Sequence, residues 1–131
     1  MLKNGQLIKF IPVQEKHNVF IDRQLLSNTI INLLSNASKY SAENKTITIQ
    51  TQKETEFFNI HILDDGIGIP ESEQKHIFER FFRAKNALNI NGTGLGLNIS
   101  KNYVELMNGS ISIKSKENEG TSVKLSFPKI N

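Results

Sequence analysis

Residues 46–70 read TITIQTQKETEFFNIHILDDGIGIP, and this stretch decides the fold. Apolar side chains alternate with polar ones along 46–52 and again along 57–64, which is the pattern of strands that bury one face. A short polar segment joins the two runs, so they predict a β-hairpin of antiparallel strands. A sheet built from hairpins is typical of an α+β domain and argues against a doubly wound parallel fold.

Helical periodicity appears on both sides of this hairpin. Before it, apolar residues recur at helical spacing over 22–40, and Asp22 is placed to cap the first turn. After it, apolar residues at 77–82 predict a short helix with one apolar face. A further helix is predicted from Leu95 to Leu106, with Leu106 on its apolar stripe, and the asparagine and glycine at 108–109 are typical of a helix end.

Four more segments have the composition of strands, at 7–13, 18–22, 110–115 and 121–127. The predicted order alternates pairs of strands with helices, so one layer of sheet should be covered by one layer of helices. We therefore expect a two-layer α/β sandwich, in which about three helices cover one face of a mixed, mostly antiparallel sheet. The length of 131 residues suits a single domain spanning 1–131.

Composition excludes several classes of function. The chain has no cysteine, so disulfides and thiolate metal sites are impossible, and no apolar run is long enough to cross a bilayer. The net charge of +3 is spread thinly, without the basic and aromatic cluster of a nucleic-acid surface. We expect a cytoplasmic, monomeric domain that binds no nucleic acid and whose mild basicity favours a polyanionic ligand.

Three asparagines recur every four residues on the first long helix, at Asn28, Asn32 and Asn36. Residues at this spacing share one helix face. One interpretation is a solvated polar face. The other is a set of oxygen ligands at the edge of a pocket, because Mg²⁺ prefers hard oxygen ligands and completes its shell with water and phosphate oxygens.

Two glycine-rich stretches are candidate ligand-binding loops, one directly after a predicted strand and one directly before a predicted helix. Asp65 lies beside Gly66 and Gly68, directly after a strand, where a buried carboxylate would accept a hydrogen bond from the exocyclic amine of adenine and disfavour guanine. The alternative is a plain turn. The second stretch, GTGLG at 92–96, opens into a helix, whose N-terminal N–H groups suit phosphate, although this string alone is weak support.

Taken together, these motifs resemble the catalytic and ATP-binding domain of sensor histidine kinases, within the wider family that includes gyrase, Hsp90 and MutL ATPases. The resemblance extends over 17–128. Its motifs are an N box, NLLSNASKY at 32–40; a first glycine box, DGIG at 65–68; an F box, FERFFR at 78–83; a second glycine box, GTGLGL at 92–97; and the remnant of a third, Gly120-Thr121.

The resemblance implies a role for individual residues. Asn36 would ligate Mg²⁺, Asn32 and Lys39 would support the phosphates of ATP, and Tyr40 would stack on the adenine, whose amine Asp65 would bind. Arg83 would reach the γ-phosphate from a lid over 83–95, and Lys39 and Arg83 would be the catalytic residues. The other predicted nucleotide contacts are Gly66, Gly68, Gly92, Thr93, Gly94, Leu95, Gly96, Leu97 and Thr121.

Two aromatic residues of the F box are predicted to have a structural role instead. Phe78 and Phe81 are interpreted as core anchors at the base of the lid, not as ligand contacts. The asparagine-rich lid itself is expected to be mobile, because such loops make few buried contacts.

Asn32 bears on the reaction. The ATPase relatives carry a glutamate four residues before the metal-binding asparagine, where it acts as the general base that activates water. An amide cannot accept that proton, so Asn32 favours phosphoryl transfer to a histidine over hydrolysis. The alternatives are a nucleotide-sensing module without transfer activity and, less favoured, a hydrolytic ATPase.

The histidine acceptor is not expected within this chain. His17, His61 and His76 lack the following acidic residue and proline of the acceptor motif, and each is predicted to be a surface histidine. The resemblance implies that the acceptor lies on a separate dimerisation and histidine phosphotransfer domain, and that a response regulator is an indirect partner. Alone, the chain should bind ATP without phosphorylating itself.

Overall fold

The computed structural model describes residues 2–13, 19–88 and 96–130. These residues form a five-stranded sheet. Its strands are β1 (Leu7–Ile11), β2 (Thr46–Lys53), β3 (Phe57–Asp64), β4 (Ser110–Lys116) and β5 (Gly120–Pro128). The helices described are α1 (Arg23–Lys39), α2 (Gly96–Leu106) and two short 3₁₀ helices, Glu71–His76 and Lys85–Ala87.

The strands follow the order β1-β2-β3-β5-β4, in which β1 is parallel to β2 and the other neighbours are antiparallel. In register, Ile49 lies opposite Ile62, which lies opposite Val123, which lies opposite Ile113. Because side chains alternate along a strand, this row lies on one face, against which α1 and α2 pack. The predicted two-layer fold with a mixed, mostly antiparallel sheet is confirmed.

Helix α1 begins and packs as its sequence predicts. The Asp22 side chain accepts a hydrogen bond from the Leu25 backbone N–H at 2.9 Å, which satisfies one of the free donors at the helix start. Leu33, Leu34 and Ala37 are buried in the core beneath the helix. The last turn of α1 is thereby fixed against the sheet, at the position where its polar residues meet the glycine loop.

Helix α2 ends in the geometry that the asparagine and glycine predict. Asn108 has a φ of 60°, in the left-handed region, and the N–H groups of Asn108 and Gly109 bond back to the carbonyls of Glu105 and Val104. Leu106, predicted on the apolar stripe, is 70% exposed. That prediction is wrong because the buried stripe of the helix runs through Ser100, Val104 and Met107 instead.

The strand predicted at 18–22 is also wrong for its described part. Val19 makes an isolated bridge to Lys129, and Asp22 already caps α1, so no room remains for a strand between them. Asn18 lies outside the described residues. The first strand ends at Ile11, two residues before the predicted end. No helix in the described part of the chain is long and apolar enough to cross a membrane.

The helix predicted over 77–82 is displaced toward the N-terminus. The 3₁₀ helix Glu71–His76 follows Pro70, and the apolar residues after it lie in turns. Phe81 has a φ of 64°, which an α-helix cannot contain, and it is 64% exposed. The prediction of Phe81 as a core anchor is therefore wrong. Phe78 is half-buried beneath the ammonium group of Lys101, and Ile77 is the buried residue of this segment.

Candidate nucleotide site

A cavity opens between the inner face of the sheet, the end of α1, the loop after β3 and the start of α2. Its walls are mostly apolar, with a few polar groups, as expected of a small-molecule site. The apolar lining consists of Leu33, Ala37, Ile62, Ile67, Ile69, Ile77, Phe82, Ala84, Ala87, Leu97, Ile113 and Val123. The remaining lining residues are Asn36, Tyr40, Asp64, Gly68, Arg83, Asn86 and Thr121.

Asp64 is the carboxylate of this cavity. It ends β3 on the inner face, opposite Thr121, and one carboxylate oxygen accepts a hydrogen bond from the Gly66 N–H at 2.8 Å. Burial raises the pKa of Asp64 to about 6, against the lowering effect of backbone N–H groups of Gly66 and Thr121, while the nearby charge of Asp65 raises it further. A half-buried carboxylate with one oxygen already bonded is suited to accept a hydrogen bond from a ligand.

Asp65 does not occupy the position predicted for it. It is exposed and does not line the cavity, so the expectation that the Asp65 carboxylate is buried is wrong. The physical reason is the alternation of the strand: Phe58, Ile60 and Ile62 face inward, and the next inward position is Asp64. The sequence contained this signal, since the same alternation that predicted the strand places Asp64 on its buried face.

The loop after β3 packs closely against backbone atoms of neighbouring segments. Gly68 has a φ of 68°, and a Cβ on it would lie 2.0 Å from the carbonyl oxygen of Lys116. A Cβ on Gly66 would lie 2.3 Å from the carbonyl oxygen of Tyr40, which also accepts the Ile67 N–H at 3.0 Å. Gly68 lines the cavity and Gly66 does not. Both glycines are therefore required by close backbone packing, Gly66 against the end of α1 and Gly68 against the end of β4.

Asn36 lies against the first residue of α2. A Cβ built on Gly96 would be 3.3 Å from the Asn36 amide nitrogen and 3.6 Å from its oxygen. The polar amide thus adjoins the positive end of a helix, and the next residue of α2, Leu97, lines the cavity. The predicted contacts Gly92, Thr93, Gly94 and Leu95 lie outside the described residues, as does the part of the predicted lid at 89–95.

The other predicted residues of α1 differ in their distance from the cavity. Tyr40 is half-buried and lines it. Asn32 is half-buried but does not line it, because one helical turn, about 6 Å along the axis, separates it from Asn36. Lys39 is exposed and also absent from the lining.

The start of the predicted lid forms a hydrogen bond with the glycine loop. Arg83 lines the cavity, and its guanidinium donates to the carbonyls of Ala87 and Leu88, both at 3.2 Å. Asn86 was not predicted from sequence; its amide nitrogen donates to the Gly68 carbonyl at 3.1 Å. No sequence pattern distinguishes Asn86 from the other asparagines nearby, since the bond depends on the folded arrangement.

The metal site predicted at Asn36 has few protein donors around it. Over 2–13, 19–88 and 96–130, no group of three or more histidine and carboxylate side chains is arranged to hold a metal ion. A dedicated protein cage is therefore missing from that part of the chain. One amide oxygen beside a helix start fits the coordination of Mg²⁺ by few protein ligands and substrate phosphates.

The described histidines lie away from the cavity. His61 lies on the outer face of β3, half-buried, where burial and then the charge of Lys124 lower its pKa. His76 is partly exposed and contacts the Glu79 carboxylate at 2.8 Å. His17 lies outside the described residues. Neither described histidine lines the cavity.

Comparison with known proteins supports the resemblance that the sequence motifs indicate. Residues 21–131 match the family described as histidine kinase-, DNA gyrase B-, and HSP90-like ATPase. The histidine-protein kinase ArlS of Staphylococcus epidermidis is 37% identical over 122 residues, which cover 92% of this chain and 26% of ArlS. The chain therefore spans about a quarter of the length of that curated relative.

Two solved structures share the fold over nearly the whole chain. The catalytic domain of the histidine kinase ThkA has a TM-score of 0.80 and 30% identity, and the match covers 95% of this chain and 81% of that one. The mycobacterial sensor histidine kinase MprB has a TM-score of 0.77 and 29% identity, with coverage of 93% and 82%.

Proposed function

The chain belongs to the family of histidine kinase-, DNA gyrase B- and HSP90-like ATPases, and from this premise we propose that it is the catalytic domain of a sensor histidine kinase, binding Mg-ATP and transferring the γ-phosphoryl group. The observation that carries the proposal is the half-buried Asp64 at one side of an apolar cavity, with Asn36 and the start of α2 lining another part of it. These are groups of the kinds that a base and a polyphosphate require. Residues 1–131 would constitute one ATP-binding domain.

Adenine is the base that the cavity suits. Asp64, not Asp65, would accept a hydrogen bond from the exocyclic amine, through the carboxylate oxygen that Gly66 leaves free. Guanine carries a carbonyl at the matching position, which would face a carboxylate and leave both acceptors unpaired. Tyr40 and the isoleucines of the lining would contact the faces of the ring.

The polyphosphate would lie toward the end of α1 and the start of α2. Asn36 would hold Mg²⁺ through its amide oxygen, and Arg83 and Lys39 would contact the phosphates. A bound Mg²⁺ neutralises phosphate charge, which favours phosphoryl transfer. The glycines and threonine of 92–94, with the N–H groups of Gly96 and Leu97, would contribute the backbone donors.

Transfer to a partner's histidine is favoured over hydrolysis by the carboxylates available. Among the described residues that line the cavity, Asp64 alone carries a carboxylate, and it is committed to the base. Asn32, where hydrolytic relatives are expected to have a glutamate, cannot take a proton from water. The acceptor would be supplied by the dimerisation and phosphotransfer domain of the parent kinase, and the phosphoryl group would pass on to a response regulator.

Two measurements test this proposal. Calorimetric titration with ATP and GTP, with and without Mg²⁺, should give ATP binding at least about tenfold tighter than GTP binding, and tighter with Mg²⁺. Radiolabelled ATP should then label the histidine of a cognate dimerisation domain when that domain and this chain are mixed. Absence of ATP binding would refute the proposal. Binding without transfer to any such domain would indicate a nucleotide-sensing module instead.

A further inference from the structure

Lys3 and Gln6, which we call the N-terminal clasp, hold the last turn of α1 by its backbone carbonyls. Gln6 is 5% exposed, and its amide nitrogen lies 3.2, 3.2 and 3.0 Å from the carbonyl oxygens of Ser38, Ser41 and Ala42. The Ser38 carbonyl belongs to the last turn of α1, and the Ser41 and Ala42 carbonyls follow just after the helix, so the clasp donates to backbone acceptors at and beyond the helix end.

The remaining atoms of the clasp are also paired. The Gln6 side-chain oxygen accepts hydrogen bonds from the Ser38 hydroxyl at 2.6 Å and from the Lys3 backbone N–H at 2.9 Å. Three carbonyls on one side and two donors on the other allow a single orientation of the amide. The Lys3 ammonium donates to the carbonyls of Lys39 and Ser41, at 3.0 and 2.8 Å, which places a positive charge at the negative end of α1.

The turn that the clasp holds belongs to the proposed nucleotide site. Asn36 and Tyr40 line the cavity from this turn, and Lys39 lies between them. On its other side the turn meets the glycine loop, where the Tyr40 carbonyl accepts the Ile67 N–H. The clasp and the glycine loop therefore both form hydrogen bonds with the backbone of the same turn.

We propose that Lys3 and Gln6 are positioning residues of the nucleotide site, acting through the last turn of α1. This inference rests on the proposed ATP-binding function. The family match begins at residue 21, so the clasp lies outside the matched region. Small displacements of positioning groups weaken ligand contacts steeply, and releasing the clasp frees the turn that carries the proposed metal ligand and a wall of the base pocket.

The test combines two clasp variants with a destabilised control. Gln6→Leu keeps the bulk of the side chain and removes its hydrogen bonds; we expect Mg-ATP affinity to fall about tenfold or more. Lys3→Met should give a smaller loss, and Lys3→Arg, which retains a cationic donor, should restore affinity. Val104→Ala opens a cavity in the core away from the site, so it should lower the melting temperature without changing affinity.

Hydrogen exchange provides a readout that does not depend on ATP. In Gln6→Leu the Tyr40 and Ile67 amides should exchange faster than in Val104→Ala at matched stability. The inference is overturned if Gln6→Leu lowers the melting temperature but binds ATP like the wild type. If Gln6→Leu does not fold, unchanged ATP affinity in Lys3→Met overturns it. A wild type that fails to bind ATP would refute the proposed function, and unchanged amide exchange would separately refute the clasp.

Discussion

Asp64→Asn is predicted to make the protein more stable while impairing its nucleotide site. The folded pKa of Asp64 is about 6, against an ordinary value of 3.8. A difference of roughly 2 pKa units corresponds to about 3 kcal/mol. Because this pKa is raised, the folded state binds the proton more tightly than the unfolded state. The ionised carboxylate therefore lowers the free energy of unfolding at neutral pH.

The pH dependence gives the prediction its sign. Well below the ordinary pKa of 3.8 both states are protonated and the penalty is absent; it grows as the pH rises through 3.8 and levels off above the folded pKa of about 6. Asparagine is neutral throughout, so the variant should gain stability over the wild type only as the pH rises through this window. About 3 kcal/mol is the upper limit of the gain, since the neutral amide accepts weaker hydrogen bonds from Gly66 and Thr121.

ATP binding should change in the opposite direction. With the amide oxygen bonded to the Gly66 N–H, the amide nitrogen would face the adenine amine, so two donors would meet. The expected loss is about 1 to 3 kcal/mol, or roughly 5-fold to 150-fold in the dissociation constant. The preference for ATP over GTP should narrow, because the amide nitrogen can donate to the carbonyl of guanine.

Asp65→Asn is the matched control, since it makes the same chemical change at an exposed position one residue away. It should leave stability and ATP affinity within about 0.5 kcal/mol of the wild type. Urea unfolding at pH 4 to 8 and calorimetric titration at pH 7.5 would measure both quantities. The reasoning would be refuted if Asp64→Asn showed no pH-dependent gain in the free energy of unfolding. It would also be refuted if Asp65→Asn lost more ATP affinity than Asp64→Asn.

Three further predictions concern other parts of the site. Asn36→Ala should abolish the Mg²⁺ dependence of ATP binding, while Asn28→Ala on the same stripe should leave it intact; equal effects in titrations with and without Mg²⁺ would contradict the assignment. Gly120→Ala should lower the free energy of unfolding by about 2 kcal/mol or more, because Gly120 has a φ of 109° and a Cβ there would lie 2.1 Å from a backbone carbonyl oxygen; urea unfolding would check this. Lys39→Met and Arg83→Met should weaken ATP binding by an amount that shrinks as salt rises, and a loss independent of salt would indicate packing instead.

The elements that sequence predicts well are those whose own periodicity matches their burial. Helix α1 has an apolar stripe that is buried in the core, and Asp22 caps it as predicted. The β2-β3 hairpin likewise buries the side chains that alternate in its sequence. In each case the local pattern and the tertiary environment agree, so the pattern is sufficient.

The F-box segment shows where periodicity is insufficient. Ile77, Phe78, Phe81 and Phe82 have helical spacing, yet Phe81 adopts a left-handed conformation and points its ring largely into solvent. Spacing carries no information about a single residue with positive φ, because the conformation is imposed by the turn around it. The prediction therefore identified an apolar segment correctly and assigned it the wrong backbone.

The site shows the difference between motif and register. The glycine motif indicated a carboxylate beside Gly66, and the choice between Asp64 and Asp65 depended on which face of β3 continues inward. The alternation of inward and outward side chains along β3 is sufficient to choose Asp64. The clasp could not be predicted in this way, because Gln6 and the carbonyl of Ser38 are separated by 32 positions in the sequence, and no local pattern specifies that contact.

Asn32 and Asp64 together limit the chemistry available at this site. A hydrolytic enzyme of this architecture needs a carboxylate that is free to take a proton from water beside the terminal phosphate. Asp64 is held by backbone N–H groups of Gly66 and Thr121 at the position proposed for the base, and Asn32 cannot accept a proton. The described part of the cavity thus contains the groups that we propose bind ATP, but no second lining carboxylate to activate water. A nucleophile brought by another domain is the chemistry that such an arrangement favours.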